Sequence, residues 1–208
     1  TLLGSLLAYA EARGWLRAAE ALLGEALAGI GACGSGLAVA LLTARGSLRN
    51  RMGAYAAAVE DLERALALAE DPESRAAALA HLGATAYLQG RHCEARERLE
   101  RAIEDAGAPG LRAMCSSLLG RVALEQGRHD DAEAAFETAL ALSREGGDGH
   151  RAGWAMNQLG LMAYFRGALD ASERLFEQAL DLARAAGDMA LVKEAAIGLG
   201  YVREDRGD

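Results

Sequence analysis

The stretch YFRGALDASERLFEQAL, residues 164–180, decides the fold, because a single glycine interrupts sequence that otherwise favours helix. Glycine in a helix interior costs about 1 kcal/mol relative to alanine. Glycine is favoured at the end of a helix, where the chain often adopts a left-handed backbone conformation. Gly167 therefore predicts a turn between two helices.

Glycines in the same setting recur at intervals of 37 to 40 residues: Gly14, Gly53, Gly90, Gly127, Gly167 and Gly207. A second glycine stands seven residues before most of them: Gly46, Gly83, Gly120, Gly160 and Gly200. After each complete turn come a small residue, then a large apolar residue and then an alanine, as in Ser172, Phe176 and Ala179. Such a fixed period is typical of a repeat array.

The repeated small residues predict places where two helices cross closely, and the large apolar residue is expected to fill the space between them. A pair of antiparallel helices cannot bury its apolar face alone, so successive pairs are expected to stack and share a core. The chain has 208 residues, of which 51% are hydrophobic, 5% are aromatic and two are proline. This composition favours helix over strand.

We therefore predict an all-α protein with eleven helices and no strand. The first helices of the pairs are expected at about 1–13, 37–52, 74–89, 110–126, 150–166 and 189–206. The second helices are expected at about 16–29, 55–69, 92–105, 129–144 and 169–185.

The repeat pattern resembles the tetratricopeptide repeat, whose spacing runs W-x2-L-G-x2-Y and then A-x3-F-x2-A. The segments MNQLGLMAYFRG and SERLFEQAL carry the resemblance most clearly. It implies an α-solenoid, a right-handed superhelix of about 5.5 repeats. The long connections between repeats also look like those of kinesin light chain and of the sensor regions of large bacterial ATP-binding regulators, including LuxR-type and antibiotic-pathway activators.

The repeats are expected at about 1–36, 37–73, 74–109, 110–149, 150–188 and, in part, 189–208, as one continuous array. Because the chain starts at Thr1 and stops on EDRGD, we expect it to be cut from a longer protein.

Charge and motifs argue against several functions. The net charge of −8 argues against direct nucleic-acid binding, which needs a basic surface. Apolar runs are too short for a membrane span. Gly29 to Gly34 fits G-x-G-x-x-G but follows a helix, so we interpret it as a turn and expect no cofactor. The four histidines form no metal-binding pattern, and Cys33, Cys93 and Cys115 are expected to be reduced thiols of a cytoplasmic protein. We expect no enzyme.

The resemblance implies that the first helix of each repeat lines a concave groove. On that basis we expect the partner-binding residues to be Arg121, Trp154, Asn157, Leu161, Tyr164 and Tyr201. Large aromatic side chains together with arginine suit the core of an interface. Packing between neighbouring helices is the alternative for Trp154 and Tyr201, and it is the favoured interpretation of Phe165.

Two functions remain open from the sequence. The first is a non-catalytic module that binds a peptide, a helix or a partner domain, which could belong to the same chain. The second is a regulatory region of a bacterial ATP-dependent transcription regulator, which would bind an effector or restrain a nucleotide-binding domain.

Overall fold

The structure is a computed structural model that describes residues 14–29 and 35–207. Within these ranges the protein is helical and contains no strand. The described helices are α1 (Leu16–Gly29), α2 (Ser35–Arg51), α3 (Tyr55–Leu68), α4 (Pro72–Leu88), α5 (His92–Asp105), α6 (Pro109–Glu125), α7 (His129–Glu145), α8 (Gly149–Phe165), α9 (Leu169–Ala186) and α10 (Met189–Arg206). Each lies within about two residues of its predicted position.

Some sequence-based expectations lie outside the described residues. They are the predicted helix at residues 1–13, Cys33, and residues 30–34 of the stretch interpreted as a turn.

The chain divides into two compact units, Thr1–Gly107 and Ala108–Asp208. In the first unit α2 pairs with α3 and α4 pairs with α5; in the second unit α6 pairs with α7 and α8 pairs with α9. The helix α10 packs against α9 and α8. That all repeats form one continuous array stays a prediction.

The paired helices are joined by three-residue turns with a glycine at the centre, as the sequence predicts. The central glycines Gly53, Gly90, Gly127 and Gly167 have φ between 70° and 75°, a conformation that side chains oppose. The residue after each glycine donates its N–H to a carbonyl five residues earlier, for example from Ala168 to Ala163 at 2.9 Å. This bond is that of a Schellman motif, which ends the first helix and reverses the chain.

The second glycine of each complete pair lies directly beneath the large apolar residue of the next helix. A methyl group placed on Gly120 would lie 2.6 Å from the Phe136 ring, and one on Gly160 would lie 3.0 Å from the Phe176 ring. Gly46 and Gly83 stand in the same relation to Leu62 and Leu99, at 2.6 and 2.7 Å. The small residues at the crossings, such as Ala139 and Ala179, are fully buried. The predicted close crossings are confirmed in these four pairs.

The first unit contains a buried ionic cluster that the repeat pattern does not predict. Asp61, of which 2% is exposed, accepts two hydrogen bonds from Arg45 at 2.6 and 2.7 Å and one from Arg49 at 2.8 Å. Arg49 also bonds to Glu20 of α1 at 2.7 Å. The hydrogen bonds to Asp61 raise the pKa of Arg45. Because both arginines are paired, this cluster holds α1, α2 and α3 together and offers no uncompensated charge to a ligand.

The glycine contacts predict opposite effects of two matched substitutions. Gly120→Ala should lower the free energy of unfolding by about 1–3 kcal/mol, because the new methyl group would overlap the Phe136 ring. Gly200→Ala should raise it by up to about 1 kcal/mol, because Gly200 lies in the interior of α10 and no other atom lies near its added methyl group. Urea unfolding of both variants measures the difference. Equal effects would contradict the crossing geometry.

Candidate protein-interaction site

The residues expected to bind a partner lie on three helices of the second unit. Arg121 is on α6, the series Trp154, Asn157, Leu161 and Tyr164 runs along α8, and Tyr201 is on α10. Spacings of three and four residues place the α8 series on one face of that helix. Arg121 is exposed, and Trp154, Leu161 and Tyr164 are partly exposed.

Three aromatic side chains form a continuous surface at the end of α8, which we call the aromatic ledge: Phe165, Tyr164 and Tyr201. Tyr164 stacks on Tyr201 with ring centres 6.1 Å apart, and its edge meets Phe165 at 5.6 Å. Phe165 is 77% exposed and Tyr201 is 49% exposed. The interpretation of Phe165 as a packing residue is therefore wrong. It stands at the last position of α8, where the chain turns away before another helix can cover it.

Tyr164 is anchored within the ledge from two sides. Its ring packs beside the buried cluster of Phe176, Leu199 and Val202. Its hydroxyl is hydrogen-bonded to the Asp205 carboxylate, which raises the pKa of the Tyr164 hydroxyl. Packing against this cluster positions the Tyr164 ring, on which Tyr201 stacks.

Trp154 is tied to the start of α10 through Asp188. The indole Nε1 donates to Asp188 Oδ2 at 2.9 Å, and His150 Nε2 lies 2.9 Å from the same oxygen. The other oxygen of Asp188 accepts from the backbone N–H groups of Ala190 and Leu191, both at 3.0 Å, and so caps the helix. Trp154 therefore has a structural role, which the sequence left open. Its side chain is also partly exposed.

Opposing effects act on the Asp188 carboxyl. Burial acts to raise the pKa of Asp188, but the hydrogen bonds from Leu191, Trp154 and Ala190 and the proximity of His150 together lower it. A carboxylate that is stabilised in the folded state contributes stability above its ordinary pKa and loses that contribution as the pH falls.

Asn157 does not present its side chain to solvent, contrary to the expectation that it lines a groove. It is only 6% exposed. It shares a face of α8 with Trp154 and Leu161 but is buried there, and its Oδ1 has no hydrogen-bond partner within the described structure. An amide oxygen buried in this way carries a desolvation penalty. Asn157 could meet a ligand only if the side chains around it moved.

A cavity of about 330 Å³ lies beside Phe165, and the repeat pattern did not predict it. It lies between the ends of α6 and α8 and the start of α7 and is open to solvent on one side, so its walls come from two successive repeats. Leu161, one of the expected residues, forms part of the wall. No sequence signal marks the cavity, because its walls come from segments separated along the chain.

Other candidate chemistry has simple structural explanations. Cys115 is fully buried, and burial raises the pKa of its thiol to about 12, so the thiol is neutral at physiological pH. Cys93 is exposed. No group of three or more metal-ligating side chains occurs in the part of the chain that the structure describes. Among its helices, none combines the length and the apolar character needed to cross a membrane.

The sequence matches the tetratricopeptide repeat profile over residues 37–106 and 112–185. No curated protein matches the chain. Among solved structures, BtubC (BKLC) from P. vanneervenii is 22% identical, with a TM-score of 0.71 over 100% of this chain and 85% of that one. MamA is 23% identical, with a TM-score of 0.58 over 86% of this chain and 95% of MamA.

A third structure, of a Rap protein complexed with competence and sporulation factor, is 17% identical. Its TM-score is 0.71, and the match covers 89% of this chain and 53% of the Rap protein. At these identities the likeness establishes the fold and nothing finer. The finer resemblances to kinesin light chain and to bacterial ATP-binding regulators stay predictions.

The position of Asp188 predicts a pH-dependent loss of stability in Asp188→Asn. At pH 7 the variant should unfold with a free energy lower by about 1–2 kcal/mol, because a charged acceptor of the Trp154 bond is lost. The difference should shrink as the pH falls below about 4, since the wild-type carboxyl is then protonated too. Urea unfolding at pH 3 to 7 measures both quantities.

Asp148→Asn is the control, because Asp148 caps α8 through Arg151 N in the same way but pairs with the partly exposed Arg151 guanidinium instead of an indole. Asparagine caps helices about as well as aspartate does. A loss in the control as large as that in Asp188→Asn would contradict the role assigned to the indole bond.

Proposed function

Because the chain belongs to the tetratricopeptide repeat family, we propose that its second unit is a non-catalytic binding module. It holds a peptide or a helix of a partner protein in a concave groove lined by α6, α8 and α10. The contact residues in this proposal are Arg121, Trp154, Leu161, Tyr164 and Tyr201, with Asn157 beneath them.

The observation that carries the proposal is the aromatic ledge. Phe165 and Tyr201 are both exposed, and each contacts the Tyr164 ring, which lies between them. Contiguous exposed apolar surface is uncommon on monomeric proteins and usually marks an interaction site. Aromatic side chains also supply much of the binding energy at protein interfaces.

Three further points support a protein or peptide as the ligand. Repeat scaffolds of this family serve protein–protein interaction, and the Rap protein with this fold has been solved with a bound factor. The net charge of −8 disfavours nucleic acid.

The alternative proposal is that the array regulates a bacterial ATP-dependent transcription factor by binding an effector or by restraining a nucleotide-binding domain. That function requires a nucleotide-binding domain in the same full-length polypeptide. A full-length sequence without one would exclude it.

The test of the binding proposal uses random twelve-residue peptides displayed on phage and selected on the wild-type chain. Selected peptides should bind Tyr201→Ala at least about thirtyfold more weakly, the loss expected when a central aromatic anchor is truncated. Because Tyr201 is half exposed, the substitution should leave the unfolding midpoint nearly unchanged. Fluorescence anisotropy of labelled peptides measures the affinity.

Gln178→Ala is the control, since Gln178 is exposed on α9 and lies outside the proposed contact residues. It should bind the selected peptides as the wild-type chain does. Peptides that bind Tyr201→Ala with unchanged affinity would show that the ledge is not the binding surface.

A further inference from the structure

The cavity beside Phe165 has a definite set of walls. Its apolar walls are Leu124, Leu161, Met162 and Phe165, and its polar rim is His129, Asp130 and Arg166. A volume of about 330 Å³ is at the small end of the range for ligand pockets. It suits one large side chain better than a larger ligand.

The next repeat of this unit carries an equivalent set of positions. Turn glycines Gly127 and Gly167 stand forty residues apart, and so do Gly167 and Gly207. The ion pairs repeat at this interval as well. Arg166 pairs with Asp130 and Glu133, and Arg206 pairs with Asp170 and Glu173. Positions forty residues apart are therefore structurally equivalent in this unit.

Tyr164 is the equivalent of Leu124 in this comparison. Its ring stacks on Tyr201, which is the equivalent of Leu161, and its hydroxyl bonds to Asp205, the equivalent of Phe165. One repeat earlier the tyrosine is replaced by the shorter leucine. The cavity thus lies where the protein's own fold, one repeat later, places an aromatic ring.

The charges around the cavity favour a basic neighbour for that ring. Arg166 is surrounded by the carboxylates of Asp130, Glu133 and Glu137. The side chain of Asp130 is fully exposed, and its contact with Arg166 is long, at 3.3 Å. The rim itself holds one acidic residue, Asp130, and Arg166 is already paired with Glu133, so the exposed Asp130 carboxylate can accept further hydrogen bonds from a cation.

We propose that this cavity receives an aromatic side chain from a partner peptide, and that a lysine or arginine beside that residue pairs with Asp130. The proposal deepens the proposed function and rests on it, because it specifies the chemistry of the partner segment. The ring would lie against Leu161 and Phe165, next to the aromatic ledge.

The experiment uses the whole chain and three capped tripeptides: acetyl-Lys-Phe-Lys-amide, acetyl-Lys-Ala-Lys-amide and acetyl-Glu-Phe-Glu-amide. Binding is followed by amide chemical shifts in two-dimensional nuclear magnetic resonance spectra. The first peptide should shift the resonances of Leu124, His129 and Phe165. The alanine peptide should bind about tenfold or more weakly, because it buries no ring. The acidic peptide should also bind more weakly, because it meets carboxylates of its own sign.

Leu124→Tyr is the decisive variant, because it places in the cavity the side chain that the equivalent position already carries. It should weaken binding of acetyl-Lys-Phe-Lys-amide about tenfold or more while the unfolding midpoint stays close to that of the wild-type chain. Leu88→Tyr, at a half-exposed leucine near the end of α4, is the matched control and should leave binding unchanged. Phe165→Ala removes an exposed wall and gives a second variant that should fold normally.

Asp130→Asn should weaken binding of acetyl-Lys-Phe-Lys-amide several-fold. Asp170→Asn, the equivalent change forty residues later, should leave that binding unchanged. The proposal is overturned if no peptide shifts the cavity resonances, or if binding persists unchanged in both Leu124→Tyr and Phe165→Ala. Equal binding of the lysine and glutamate peptides would overturn the proposed pairing of a basic residue with Asp130. None of these results depends on Tyr201→Ala, so failure of this inference is distinguishable from failure of the proposed function.

Discussion

The close approach of a glycine to a large apolar side chain is the contact on which the rest of this structure depends. At Gly120 a single added methyl group would overlap the Phe136 ring, so the two helices of that pair can meet only because the side chain is absent. Phe176 is enclosed more tightly still, between Gly160 of its own repeat and Gly198 of α10. The turn glycines, the buried alanines and the ion pairs from Arg166 and Arg206 all keep the helices in positions that preserve this contact.

The core residues are similar from repeat to repeat, whereas the surface residues vary. In the second unit this variation is clear at the end of α8. Leucine at position 124 and tyrosine at position 164 are equivalent in the repeat, yet the leucine lines a cavity and the tyrosine ring stacks on Tyr201. The polar contacts vary in the same manner. Asp148 only caps α8 and pairs with Arg151, whereas Asp188 caps α10 and also binds Trp154. Small differences between equivalent positions thus give one end of this unit a distinct surface.

The residues expected to bind a partner differ in how far they are buried. Tyr201 is half exposed, and Phe165 is more exposed still. Asn157 follows the same helical spacing as Trp154 and Leu161, but other residues cover its side chain and the amide is buried. Spacing along one helix predicts which side chains share a face. It does not predict how far the neighbouring helices extend over that face.

Sequence alone determined the helical class, the helix boundaries, the turn glycines and the residues that meet at each crossing, because these follow from backbone preference and from a period that repeats five times. The tertiary structure decided the rest. The pairing of Arg45 and Arg49 with Asp61, the bond from Trp154 to Asp188, the exposure of Phe165 and the cavity beside it all join residues from different helices. These contacts depend on side-chain lengths and on how neighbouring repeats stack, and a one-dimensional pattern records neither.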